Sequence, residues 1–113
     1  MTCRSNAKYG NRKVTADGQT FDSRKEYRRF CELRLLEKAG EVADLRRQVR
    51  FELLPAQRVG GKVVERSVTY IADFVYTANG QTVVEDTKGV RTKEYILKRK
   101  MMLFFHGMVI KEV

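Results

Sequence analysis

Acidic residues are scarce in this chain: 14 Asp and Glu stand against 23 Lys and Arg, leaving a formal net charge of +9 on 113 residues. That deficit is the electrostatic footprint of a polyanion binder and makes nucleic acid the leading partner. An anionic membrane surface ranks below it, because no helix pairs a wide apolar face with a wholly basic one. No apolar run approaches the ~18 residues of a membrane span, and the opening stretch MTCRSNAKYGNRK lacks the apolar core of a secretory signal. The expectation is a soluble cytoplasmic protein without a membrane partner. Cysteine is limited to Cys3 and Cys31, far apart and without CxxC or Cys/His spacing, so reduced thiols are expected rather than zinc or a disulfide. The only histidine, His106, sits beside Gly107 at the end of an apolar run, which reads as a structural position and not as a catalytic base.

The length suits one domain with one core, and no repeats or linkers interrupt it. Residues 1–22 read as a basic N-terminal arm, with Arg4, Lys8, Arg12 and Lys13 around Tyr9 and a short hairpin signalled by Asp17-Gly18. The arm is either a tail or a segment that orders against phosphates. Residues 23–113 form the main domain. Ser23 followed by Glu26 is a capping-box pattern, Phe30, Leu33, Leu35 and Leu36 make an apolar stripe, and Gly40 is a stop, so a helix is predicted over 23–39. Its other face carries Arg24, Lys25, Arg28, Arg29 and Arg34.

Val49, Phe51 and Leu53 alternate with polar residues as in a strand, which Pro55, the only proline, ends. Gly60-Gly61 then turns the chain into a β-rich run over 62–70. A second helix is predicted over 92–105, with Ile96, Leu97, Met101, Phe104 and Phe105 toward the sheet and Lys93, Lys98, Arg99 and Lys100 outside. Gly107 breaks it, and 108–113 resembles a last strand. This order predicts an α/β or α+β sandwich around a mixed sheet.

The stretch over 70–89, YIADFVYTANGQTVVEDTKG, organises the rest. Two β-branched and aromatic runs flank Asn79-Gly80, a strong hairpin signal. Asp73 interrupts the first strand and Asp86 and Lys88 the second. Asp86 and Lys88 are two apart and so share a face, with Asp73 across the hairpin. Charges placed where a sheet should be apolar are expensive unless paired or bound to metal. They mark a candidate site, or else a structural salt bridge at a sheet edge. Tyr70, Phe74 and Tyr76 read as core residues rather than base-stacking platforms.

Asp73 followed by Asp86-Thr87-Lys88 resembles the D…(D/E)xK signature of the PD-(D/E)xK, or restriction-endonuclease-like, nucleases. The wording TYIADF, the NG turn and VVEDTKG before a basic helix is most similar to phage junction-resolving endonuclease I proteins and small phage nucleases. The resemblance spans 23–113 and implies an αβββαβ core with a mixed sheet flanked by two helices. One departure is Glu85 before Asp86, where such nucleases commonly carry an apolar residue. Strand alternation sends Glu85 to the opposite face, which assigns Asp86 as the ligand.

By this resemblance Asp73 and Asp86 hold a divalent ion, Lys88 stands beside the attacking water, and Glu26 is the helix acid that completes the site. Glu26 has a second reading, in which it only caps its own helix. Mg²⁺, with Mn²⁺ as a substitute, suits a few carboxylates plus waters and a substrate phosphate. Arg24, Lys25, Arg28, Arg91, Lys93 and Lys98 are the expected phosphate contacts. The implied protein is a divalent-metal-dependent DNA endonuclease acting on branched DNA such as Holliday junctions, as a homodimer, in a phage-infected host cytoplasm. The alternatives are a sequence-specific, nicking or end-processing nuclease on linear duplex, and a non-catalytic basic DNA-binding module.

Overall fold

The computed structural model describes residues 13–16 and 18–113, together with the backbone of 2–4. In chain order the elements are β1 (Thr2–Arg4), β2 (Lys13–Ala16), β3 (Gln19–Phe21), α1 (Arg24–Lys38), β4 (Ala43–Leu54), β5 (Gln57–Val59), β6 (Lys62–Glu65), β7 (Val68–Ala78), β8 (Gln81–Asp86), α2 (Lys93–His106) and β9 (Ile110–Glu112). The main sheet has the order β4-β7-β8-β9, antiparallel except for the parallel β8–β9 pair. A mixed α+β fold follows, as expected. Between α1 and β9 the main-sheet strands and α2 run in the αβββαβ order, with the β5–β6 hairpin inserted. Lys8, Tyr9 and Arg12 of the predicted arm lie outside the described residues.

Each helix starts on a side-chain cap. Ser23 Oγ accepts from the Glu26 amide at 3.1 Å, and Thr92 Oγ1 from the Tyr95 amide at 3.1 Å. The α2 helix stops at Gly107, whose φ of +67° is a conformation glycine adopts without strain. The Asn79-Gly80 turn closes β7 onto β8 with Ala78 opposite Gln81. The β2–β3 hairpin packs on α1: Val14 and Phe21 are buried with Phe30, Leu33, Phe74 and Tyr76. A second core lies under α2, where Tyr95 and Met102 meet Tyr70, Ala72, Val75, Val84 and Ile110.

Two packing expectations are corrected. On α2, Tyr95 and Met102 are the buried residues, whereas Leu97, Phe104 and Phe105 are exposed. The inward stripe therefore runs through 95 and 102, one turn-pair apart, with Ile96 and Met101 flanking it. On α1, Leu35 and Leu36 are exposed, because Glu26, Phe30 and Leu33 line the inward face. The run over 62–70 is two strands, parted at Arg66 and Ser67. Among the described residues no helix is long and apolar enough to cross a membrane.

One irregularity shapes the site. Residues two apart in a strand share a face, yet Tyr70 and Ala72 lie in the α2 core while Phe74 and Tyr76 lie in the α1 core. The partner strand does the same: Val49 and Phe51 pack under α2, and Leu45 under α1. Both strands invert at the level of Gln48 and Asp73, between the pairs Arg47–Phe74 and Val49–Ala72. Gln48 takes a left-handed φ of +52°, uncommon for a residue with a Cβ.

Candidate active site

The inversion turns Asp73 out of the regular ladder and leaves its carboxylate between the two cores. Its Oδ2 accepts from the Thr87 amide at 2.9 Å and from Thr87 Oγ1 at 2.8 Å. Gln48 Nε2 donates to Asp73 Oδ1 at 3.3 Å and to Glu26 Oε2 at 3.1 Å. Glu26 is delivered by the first turn of α1, almost fully buried, and its Oε1 accepts from the Asp22 amide at 2.8 Å. The helix acid thus bonds with one oxygen the amide of Asp22, one residue before the cap Ser23 and not Ser23 itself as the capping reading expects, and with the other is joined through Gln48 to Asp73. Arg47 Nη2 stands 3.9 Å from Glu26 Oε1.

Asp86 ends β8, also buried, and Tyr70 donates its hydroxyl to Asp86 Oδ2 at 2.5 Å. Lys88 Nζ lies 3.4 Å from Asp86 Oδ1 and 4.4 Å from the centre of the Tyr95 ring. Glu85 points to the opposite face. Arg29 grips it in a bidentate pair at 2.8 and 2.7 Å, and the Tyr76 hydroxyl donates to it as well.

The electrostatics separate these acids. Burial, then the neighbouring Asp73 carboxylate, pushes the Glu26 carboxyl up to about 7. Burial also raises Asp86, with the charge of Asp73 adding to it and the Tyr70 hydroxyl and Lys88 opposing. Burial acts upward on Glu85 too, but Arg29 and Tyr76 outweigh it and hold that carboxyl below its ordinary value. Glu85 is therefore a satisfied structural anion, while Glu26 and Asp86 are short of positive charge. Carboxyls raised in this way by burial and a like-charged neighbour are a signature of functional sites.

Among the described residues no group of three or more His, Cys, Asp and Glu side chains is gathered closely enough to hold a metal ion by itself. The donors present are hard carboxylate oxygens, and Mg²⁺ takes one or two of them with water and phosphate completing its shell. Asp73 with Glu26 or Asp86 fits that requirement, and the upward-shifted carboxyls are the groups that a cation would stabilise.

The basic residues divide. Lys25 Nζ donates to the Lys88 carbonyl at 3.3 Å, and Lys25 and Arg28 line a cavity of about 170 Å³ beside Thr87. Lys98 pairs with Glu94 at 3.1 Å and lines a larger cleft of about 310 Å³ with Tyr70, Ile71, Lys88 and Tyr95. Arg91 is tied to Glu112 at 2.7 Å, and Arg24 and Lys93 are exposed at the helix starts. His106 lies away from the acids: its Nε2 is 2.8 Å from the Glu52 carbonyl and its ring packs edge-on against Phe51.

Sequence reasoning missed Gln48, Thr87 and the hydroxyl of Tyr70 as members of this cluster. Tyr70 was legible as core, but only the pairing of β7 with β8 brings its hydroxyl to Asp86. Nothing in the sequence marks Gln48.

Fold and site together define an α+β domain that holds a carboxylate–lysine cluster at an inverted strand of a mixed sheet. The chain belongs to a protein family described as a protein of unknown function, DUF1064, whose model matches residues 6–109. No curated protein and no solved structure matches it.

Proposed function

We infer that this chain is a divalent-metal-dependent DNA endonuclease that hydrolyses phosphodiester bonds, with branched DNA as its favoured substrate. The observation that carries the reading is that Asp73 is joined through Gln48 to Glu26 of α1 and bonded directly to Thr87, the residue between Asp86 and Lys88, which pair with each other. The branch preference rests on the resemblance to phage junction-resolving nucleases. Paired cuts at a junction need two such sites, hence a homodimer.

A bound Mg²⁺ or Mn²⁺ supplies an acidified water and charge neutralisation at the phosphate. The chain's own groups set the geometry. Thr87 and Gln48 fix both oxygens of Asp73, and Tyr70 fixes one oxygen of Asp86. Lys88, held between Asp86 and the Tyr95 ring, is placed to orient the attacking water and to stabilise charge that develops on the phosphate. Lys25 and Arg28 flank the cluster and offer phosphate contacts.

A purely structural reading, an Asp86–Lys88 salt bridge with Glu26 bonded to the Asp22 amide, leaves the raised Glu26 carboxyl without a use. A buried carboxyl pushed up to about 7 weakens the fold at neutral pH, a pattern expected where function requires it. The test is cleavage of a labelled four-way junction and of a linear duplex of matched sequence, with Mg²⁺ and with EDTA. Metal-dependent cutting of the junction alone supports the whole reading. Equal cutting of both moves the substrate to plain duplex, and salt-sensitive binding without cutting in Mg²⁺ or Mn²⁺ reduces the chain to a binding module.

A further inference from the structure

The segment between β4 and β7 is a two-stranded sheet of its own, β5 paired with β6 and closed by Gly60-Gly61. Every residue of both strands is exposed, Val59, Val63 and Val64 included. An isolated two-stranded hairpin is marginal in water, and this one buries nothing against the rest of the domain. It carries Arg58, Lys62 and Arg66 against the single acid Glu65. Arg58 Nη1 donates to the Gly61 carbonyl at 3.2 Å, which ties the turn to its strand.

Its position relative to the acids matters more than its composition. β8 pairs with β7 only from Phe74 onward, whereas β4 and β7 stay paired on the other side of Asp73, from Ala72 to Val68. The β4–β7 ribbon therefore runs past the carboxylate–lysine cluster and ends in the hairpin. At about 3.3 Å per residue, Arg66 lies at most about 23 Å along the chain from Asp73 and Lys62 at most about 36 Å. Arg50, exposed and paired with Ile71, lies along this path.

We propose that the β5–β6 hairpin is a duplex-binding arm that sets Arg66, Arg58 and Lys62 against phosphates about 20 to 35 Å, or roughly six to ten base pairs, from the scissile bond. A β-ribbon has the width that the major groove of B-DNA admits, and the excess of positive charge on a ribbon with no apolar burial matches a phosphate-lined groove. The proposal rests on the nuclease reading for its substrate, and its test separates the two.

Binding of the wild type and of the triple variant R58A/K62A/R66A to a labelled duplex is measured in EDTA across a salt series, alongside cleavage at saturating DNA with Mg²⁺. All three side chains are exposed, so the variant keeps the fold, which circular dichroism checks. The expected result is an affinity about tenfold lower and a log–log salt slope smaller by about 2 to 3, with the saturated cleavage rate unchanged. Unchanged affinity and slope in the variant, with the wild type binding and cutting, overturn the arm and leave the nuclease reading standing. Loss of self-association in ultracentrifugation, with DNA affinity kept, also overturns it and assigns the hairpin to a second copy of the chain. A wild type that binds no DNA removes both.

Discussion

The Tyr70 hydroxyl donates to Asp86 Oδ2 at 2.5 Å, across the 16 residues that separate them. The bond leaves Asp86 Oδ1 toward Lys88 and favours the ionised carboxyl against the pull of burial. Removing it with Tyr70→Phe raises the Asp86 carboxyl further above its ordinary value. Urea unfolding of the variant then shows a loss of about 1 kcal/mol or more for an unpaired buried acceptor. Unchanged stability would contradict the role of Tyr70 as the donor that satisfies Asp86.

Gln48 joins Glu26 to Asp73 from a left-handed backbone. Gln48→Ala removes the donor and keeps the left-handed penalty of about 1 to 2 kcal/mol that the wild-type residue already bears, whereas Gln48→Gly removes the donor and relieves that penalty. Both variants lose activity by roughly tenfold to a hundredfold, as expected when a carboxylate loses its orientation. The glycine variant is expected to be the more stable of the two. Equal melting temperatures for the two would show that the strand inversion does not depend on this residue's conformation.

Glu26 sets the pH dependence of stability. Its folded pKa of about 7 lies above the ordinary 4.5, so the folded state holds the proton more tightly than the unfolded chain. Its contribution favours folding at low pH and is lost as the pH rises from about 4.5 through about 7. Glu26→Gln should flatten that decline and raise stability at pH 8 by about 1 kcal/mol or more, while abolishing cleavage. Mg²⁺ should raise the melting temperature of the wild type more at pH 8 than at pH 6. Thermal melts of both proteins across this range, with and without Mg²⁺, check all three statements.

Arg29 and Glu85 make the buried cross-link between α1 and β8, one helical turn from Glu26 and one residue from Asp86. Arg29→Ala leaves the buried Glu85 only the Tyr76 hydroxyl and Lys111 at 4.0 Å, and should destabilise the fold by about 3 kcal/mol. Denaturant titration measures the loss. A change under about 1 kcal/mol would show the pair to be as weak as an exposed one.

Much of this was legible because local signals agreed with one another. The NG turn fixed the pairing of β7 with β8, the Ser23 and Thr92 caps fixed the helix starts, and alternation at the end of β8 sent Asp86 and Glu85 to opposite faces. Those signals single out Asp73, Asp86 and Lys88 as a candidate cluster, whereas Glu26 is named through the family resemblance. What stayed hidden depends on long-range geometry. The face switch at Gln48 and Asp73 breaks the period of two on which strand reading rests, and the inward stripe of α2 is masked by exposed apolar residues such as Leu97 and Phe104. The third strand pairing of the site, which brings Gln48 beside Asp73, leaves no trace in local sequence.

The most direct test is cleavage of labelled DNA by the wild type, Asp73→Asn and Lys88→Ala, each with Mg²⁺ and with EDTA, after circular dichroism and binding confirm that all three are folded and hold DNA. Metal-dependent cutting by the wild type, reduced about a hundredfold or more in both variants, is the predicted result. Cutting by either variant at the wild-type rate, or a wild type that binds DNA and leaves it intact in both Mg²⁺ and Mn²⁺, would contradict the account.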